Sequence, residues 1–110
     1  MTKRDFARTA AVTAIGEDNP RLGDWTDWME LILSLIAGIP CLANKTPEQA
    51  RAWLVSHPTM ARLYVRPLIN RKRPSWASSS DVDAAYDALT EATMAAQPSE
   101  FATAYYEARR

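Results

Sequence analysis

The sequence predicts an all-α fold in which five or six short helices surround a central apolar helix near residues 25–39. The chain of 110 residues has only three glycines, too few for the tight turns that join the strands of a sheet-rich protein. Between Trp25 and Ile39, apolar residues recur at the spacing of one helix face: Trp25, Trp28, Met29, Ile32, Leu35, Ile36 and Ile39. The length fits one domain, so we expect residues 1–110 to form a single helical domain.

The helices on either side of the apolar one are predicted from their start and stop signals. Residues 3–15 have one modest apolar face and are predicted to form a helix that stops at Gly16. A second start signal lies at Thr46 and Pro47, because threonine caps helices well and proline fits the first helical position. Gln49 completes a capping box with Thr46. The sequence therefore predicts a helix that begins next to Pro47.

Three more helices are predicted in the second half of the chain. The first follows Pro58 and is expected to end or kink at Pro67. Its predicted inward-facing residues are Met60, Leu63 and Tyr64. The next helix is predicted to begin with a capping box at Ser80. The inner faces of the last two helices are predicted to be Val82, Ala85, Tyr86, Leu89 and Thr93, and then Phe101, Ala104, Tyr105 and Ala108.

Charge is distributed unevenly, although the formal net charge is zero. Residues 49–80 contain no acidic side chain, whereas residues 81–110 and 17–30 each carry a net charge of −4. The basic side chains of the acid-free stretch are Arg51, Arg62, Arg66, Arg71, Lys72 and Arg73. Such a stretch favours an anionic partner such as nucleic acid. The alternative is a solvated face that pairs with the acidic helices at the C-terminus.

Residues 46–66 resemble a helix-turn-helix DNA-binding unit. Ala50 lies at the position where the first helix of that unit carries a small residue, and Val55 lies just after the turn. Met60 and Leu63 lie at the positions that are buried in its second helix. The resemblance implies that this second helix is a recognition helix that enters the groove of a duplex.

The first functional hypothesis is therefore a nucleic-acid-binding or regulatory protein that uses residues 56–73. Arginine can bind guanine edges or phosphates, and threonine can donate a hydrogen bond to phosphate. A basic loop beside the helix would neutralise further phosphates. The candidate nucleic-acid-binding residues are Thr59, Arg62, Arg66, Arg71, Lys72 and Arg73.

The alternative hypothesis is a helical interaction or assembly protein with no nucleic-acid role, which forms a homodimer or binds another protein. Its interface would lie on the apolar helix 25–39 and include Trp25, Trp28 and Ile32, unless that helix is simply the core. We expect no membrane span. The apolar run 31–43 is shorter than the ~20 residues that cross a bilayer, and it contains Pro40.

No catalytic residue, metal site or cofactor is predicted, so we expect a protein that is not an enzyme. Cys41 is the only cysteine and His57 the only histidine, and neither has a neighbouring signature of nucleophilic catalysis. Asp83, Asp87 and Glu91 have a spacing that can share a metal, but we expect them to face water. The N-terminus has no apolar signal core, which favours the cytoplasm.

Overall fold

Six α-helices and one 3₁₀ turn make up the regular structure of the protein. The computed structural model describes residues 1–110. The helices are α1 (Lys3–Ile15), α2 (Leu22–Ala37), α3 (Pro47–Ser56), α4 (Pro58–Arg71), α5 (Ser79–Ala95) and α6 (Pro98–Ala108). The 3₁₀ turn, Pro40–Leu42, connects α2 to α3. No strand is present, so the prediction of an all-α fold with five or six helices is confirmed.

The predicted apolar helix is α2, which begins at Leu22 and ends at Ala37. Its buried residues are Trp25, Thr26, Trp28, Met29, Ile32, Leu33, Ile36 and Ala37. They lie on one broad side of the helix, against which α1, α4 and α6 pack. None of the six helices combines the length and the apolar character that crossing a bilayer requires.

Helix α1 packs against α2, α5 and α6. Three buried alanines on α1 (Ala7, Ala10 and Ala11) add little bulk between the helix backbones. At the end of this alanine face, the ring of Phe6 meets that of Phe101 edge to face at 5.7 Å between centroids. These residues belong to one core cluster of 29 buried side chains.

The start of α3 confirms the predicted capping box. The hydroxyl oxygen of Thr46 accepts a hydrogen bond from the backbone N–H of Gln49 at 3.1 Å. The side-chain oxygen of Gln49 accepts one from the backbone N–H of Thr46 at 3.0 Å. Pro47 occupies the first helical position, where its missing N–H has no cost. Two of the orphan donors at this helix end are therefore satisfied within the chain.

Replacing Thr46 by alanine is expected to lower the free energy of unfolding by about 1 kcal/mol, because the N–H of Gln49 loses its acceptor. The measurement is urea unfolding followed by circular dichroism. Thr46→Ser keeps the hydroxyl and serves as the matched control. Equal stability of Thr46→Ala and the parent protein would contradict the capping role.

The predicted inner faces of α5 and α6 are confirmed, since all nine of their residues are buried. The predicted cap of α5 is wrong by two residues. Ser78, not Ser80, is the N-cap, and it forms the capping box with Asp81. Asp83, the expected partner of Ser80, instead accepts hydrogen bonds from α4.

Helix α4 is longer than predicted. It begins at Pro58 and continues through Pro67 to Arg71, so Pro67 neither ends the helix nor separates it from the basic residue beyond it. Proline has no N–H, and the carbonyl of Leu63 therefore has no helical donor. Both residues are exposed, so that water can supply the missing hydrogen bond.

Candidate interaction surface

Helix α4 carries two apolar stripes, and the fold buries the less bulky one. Ala61, Val65 and Ile69, spaced four residues apart, are the buried residues of this helix. They face the protein interior, where α4 packs mainly against α5 and also against α3 and α2. A small or branched side chain at each buried turn lets the helix approach its neighbours closely. The bulkier stripe is left on the outside.

The inward orientation predicted for Met60, Leu63 and Tyr64 is wrong. Their exposed fractions are 53%, 71% and 54%, respectively. The helix-turn-helix resemblance implied that Met60 and Leu63 are buried, and they are not. Pro67 continues the same exposed face one turn further. We call Met60, Leu63, Tyr64 and Pro67 the α4 stripe.

The α4 stripe forms a ridge between two grooves. The first groove has a volume of about 390 Å³ and runs between α4 and the ends of α3 and α5, with Leu54, Tyr86 and Met94 in its lining. The second, of about 480 Å³, separates α4 from the end of α2 and the 3₁₀ turn. Leu63 borders both grooves. A protruding apolar ridge with a groove on each side is a shape that can interlock with another helix.

The two arginines expected to contact a duplex are paired with carboxylates of α5. The Nε of Arg66 donates a hydrogen bond to Asp83 at 2.7 Å, and Arg62 donates to the same carboxylate oxygen at 2.8 Å. A second nitrogen of Arg62 lies 3.4 Å from Asp87. The Arg62 guanidinium also lies over the ring of Tyr86, at 5.2 Å from the centroid. The alternative that the sequence left open, pairing with the acidic C-terminal helices, therefore applies to these two arginines.

These ion pairs make the Asp83 carboxyl a stronger acid. The hydrogen bond from Arg66 lowers the pKa of Asp83 below its usual range, and the positive charges of Arg66 and Arg62 act in the same direction. Partial desolvation opposes this shift. Because the folded state lowers the pKa, the ionised carboxylate stabilises folding above pH ~4, the unfolded value. This stabilisation is lost as the pH falls through the folded-state pKa.

Asp83→Asn is therefore expected to be less stable than the parent protein at pH 7, and the two stabilities should converge as the pH falls below about 4. The measurement is the urea midpoint of both proteins at pH 7, 5, 4 and 3. The control is Asp81→Asn, which removes a capping carboxylate of α5 and leaves the ion pairs between α4 and α5 in place. A stability difference that stays constant with pH would contradict the role of these ion pairs.

The remaining candidate nucleic-acid-binding residues have no acidic partner. Arg71, Lys72 and Arg73 are exposed, and no carboxylate lies within ion-pair distance of them. Thr59 is exposed as well and lines the first groove. Arg71 lies at the end of α4, in the lining of the second groove. We call Arg71, Lys72 and Arg73 the basic cluster. It follows the α4 stripe at the C-terminal end of the helix.

The residues expected at a partner interface on the apolar helix lie in the core. Trp25, Trp28 and Ile32 are 4%, 2% and 0% exposed. Trp76, from the loop after α4, packs its ring at 5.9 Å from Trp25 and 5.6 Å from Trp28. Arg21 covers the ring of Trp76 at 5.2 Å. An interface through these three core residues would require the fold to open, so burial favours the core interpretation of α2.

Cys41 and His57 come from different segments but line one groove of about 450 Å³ with Lys45 and Trp53. No hydrogen bond joins the thiol to the imidazole, and both residues are exposed. The groove therefore holds no nucleophile–base pair of the kind that covalent catalysis uses.

The acids spaced four residues apart on α5, Asp83, Asp87 and Glu91, are not gathered around a common point with other metal ligands. Two of them, Asp83 and Asp87, face arginines of α4.

No protein-family model, curated protein or solved structure matches the chain. The role of this surface is therefore inferred from its own residues. The sequence pattern contained the α4 stripe, since Met60, Leu63, Tyr64 and Pro67 share one face of a helix. The same pattern is typical of a core-facing stripe, which explains why the sequence alone gave it the wrong direction.

Proposed function

We propose that the protein is a non-enzymatic interaction module that binds a protein partner through the α4 stripe. The observation that supports this is the exposure of three large apolar side chains, Met60, Leu63 and Tyr64, on consecutive turns of one helix. Single exposed apolar residues are ordinary, but a contiguous ridge that includes an aromatic ring is typical of a binding surface.

The surroundings of the stripe support the same proposal. Tyrosine and methionine are enriched at interfaces because they offer large contact areas. Met94 of α5, 57% exposed, extends the apolar surface across the first groove. The charged rim is formed by Arg62 and Asp87, which already neutralise each other and would add little electrostatic cost to docking. A partner helix could therefore cover the ridge and leave the rim charges hydrated.

The experiment is photo-crosslinking in cells of the source organism, with p-benzoylphenylalanine in place of Leu63. We expect a crosslinked adduct whose formation depends on light. The matched control carries the same photoreactive residue at Thr13, an exposed position of α1. Absence of any adduct at position 63, or equal adducts at both positions, would contradict the proposal. The mass of the adduct separates a second copy of the chain from a different protein.

A second candidate function is nucleic-acid binding by the basic cluster Arg71, Lys72 and Arg73. It is supported by the three consecutive exposed cations without carboxylate partners. Each neutralised phosphate contributes about 0.9 to the salt dependence of binding to duplex DNA. Arg62 and Arg66 would first have to leave Asp83 and Asp87, so that we expect them to contribute less.

The test of this candidate is fluorescence anisotropy with a mixed-sequence duplex and a single strand at two salt concentrations. If the basic cluster binds phosphates, alanine at positions 71, 72 and 73 should weaken binding and reduce the salt slope by up to about 3. The matched control is alanine at Arg62 and Arg66, which we expect to have the smaller effect. No binding by the parent protein at low salt would exclude this function.

A further inference from the structure

We infer that the partner of the α4 stripe is a second copy of this chain, docked with the two α4 helices crossed and antiparallel about a twofold axis. The inference rests on the proposed function and specifies its partner. Two features of the exposed face support it: the ridge and its grooves are complementary in shape, and unpaired charges of opposite sign, Arg71 and Glu91, lie at its two ends.

The ridge and its two grooves give the exposed face of α4 a shape that fits a second copy of itself. A twofold interface uses the same patch on both copies, so the patch must fit itself. On this face Leu63 protrudes with 71% of its surface exposed, and a groove lies on either side of it. When two such faces cross at an angle, the two halves of each ridge lie over the two grooves of the other copy. Ridges packed into grooves are the usual way in which two helices meet at a crossing angle near 50°.

The two ends of the same face differ in charge. Arg71 lies on the stripe side at the C-terminal end of α4, followed by Lys72 and Arg73. Near the N-terminal end, Asp87 of α5 borders the first groove, and Glu91 follows it by one helical turn. The hydrogen bonds Arg66–Asp83 and Tyr86–Pro58 show that α4 and α5 run antiparallel, which places Glu91 beyond the start of α4. One end of the face is thus basic, and the other end carries Glu91, an exposed carboxylate without a cationic partner, because Asp87 already faces Arg62.

An antiparallel crossing brings these opposite ends together twice. Arg71 lies seven or eight residues from the middle of the stripe, which is about 11 Å along the helix axis. At a crossing angle near 50°, the Arg71 end of one α4 lies about 8 Å to the side of the α4 axis of the other copy. This is close to the distance between two packed helices. With the crossing toward α5, we therefore expect Arg71 of each copy to face Glu91 of the other. Parallel pairing would instead place the two basic ends side by side.

The overall charge of the chain favours a second copy as the partner, rather than a strongly charged molecule. The formal net charge is zero, so two copies do not repel each other at long range. Nucleic acid on the basic cluster would leave the apolar stripe uncovered. A standard interface buries about 800 Å² per partner, and the exposed apolar face here comes from a single helix of 14 residues. We therefore expect a reversible dimer that forms at micromolar concentration.

The experiment is sedimentation velocity of the full chain from about 1 to about 500 µM, with the parent protein and five variants. The parent protein is expected to shift from monomer to dimer within this range. Leu63→Asp should weaken the dimer at least about tenfold, and its circular dichroism spectrum should remain that of the parent protein. Thr13→Asp on α1 is the matched control and should leave dimerisation unchanged.

Charge reversal tests the antiparallel arrangement. Arg71→Glu and Glu91→Arg should each weaken the dimer, by at least about threefold, because the affected contact occurs twice. The double variant Arg71→Glu with Glu91→Arg should recover most of the loss, since the opposite charges meet again. Failure of the double variant to recover would overturn the antiparallel arrangement.

A chain that stays monomeric at every concentration, or a dimer that Leu63→Asp leaves intact, would overturn the inference. The proposed function has a separate readout, because photo-crosslinking at position 63 detects any partner. A monomeric purified protein together with a crosslink to a different protein would reject the second copy and keep the interaction module. The absence of both the dimer and the crosslink would reject both.

Discussion

Trp28→Ala should lower the free energy of unfolding by about 3–5 kcal/mol, the usual range for removing a large aromatic side chain from a core. The indole of Trp28 is 2% exposed and packs against the rings of Trp25 and Trp76, at 5.2 and 5.6 Å between centroids. Alanine would leave a cavity between α2 and the loop after α4, and both neighbouring rings would lose their edge-to-face contacts. The measurement is urea unfolding followed by circular dichroism.

Leu31→Ala is the matched control for this substitution. Leu31 lies on the same helix three residues further along, but 42% of it is exposed. We expect its removal to cost less than about 1 kcal/mol, because much of its surface is hydrated in the folded state. A small loss for Trp28→Ala, together with a change of oligomeric state, would contradict the core assignment and favour a partner interface on α2.

Val65→Asp is expected to prevent folding or to lower the free energy of unfolding by more than about 4 kcal/mol. Val65 is fully buried among residues of the core cluster, and a carboxylate there would have no charged or hydrogen-bonding partner. The neighbouring variant Leu63→Asp makes the same kind of change two residues earlier. We expect it to change stability by less than about 0.5 kcal/mol, since 71% of the Leu63 surface is exposed.

This pair of variants tests the orientation of α4 about its own axis. The apolar pattern at Met60, Leu63 and Tyr64 predicts the opposite order of effects, with Leu63→Asp the damaging change. Circular dichroism spectra and urea midpoints of both variants at low concentration provide the measurement. A folded Val65→Asp protein beside an unfolded Leu63→Asp protein would show that the stripe faces the core.

Local signals predicted most of the fold where only one interpretation of the pattern was available. The capping residues Thr46 and Gln49 determine the start of α3 through contacts three residues apart. The inner faces of α5 and α6 were correct because each helix has only one continuous apolar stripe. Gly16, the one residue with a positive φ, ends α1 where the sequence placed its end. In each of these cases, the deciding interactions are local.

Sequence reasoning failed where two local patterns competed. Ser78 and Asp81 match the capping-box pattern as well as Ser80 and Asp83 do, and the choice depends on contacts with α4. The two stripes of α4 posed the same problem. The smaller stripe, with Ala61 at its start, is the one buried, and periodicity alone does not weigh close helix packing against side-chain bulk.

The candidate site depended on contacts between residues far apart in sequence. The pattern identified a basic stretch and acidic helices, and it left open whether the two would pair. The structure pairs Arg62 and Arg66 with Asp83 but leaves Arg71 without a carboxylate. This division follows from the packing of α4 on α5: Arg62 and Arg66 lie on the side of α4 that faces α5, whereas Arg71 lies on the stripe side. No local sequence signal contains that information.

Methionine oxidation tests most directly whether the α4 stripe faces outward. The protein is treated with dilute hydrogen peroxide at low micromolar concentration, and the sulfoxide at each methionine is followed by peptide mass spectrometry. Exposed Met60 and Met94 should react at similar rates, and buried Met29 more than about tenfold slower. If Met60 were instead protected to the same degree as Met29, the outward orientation of α4 would be contradicted.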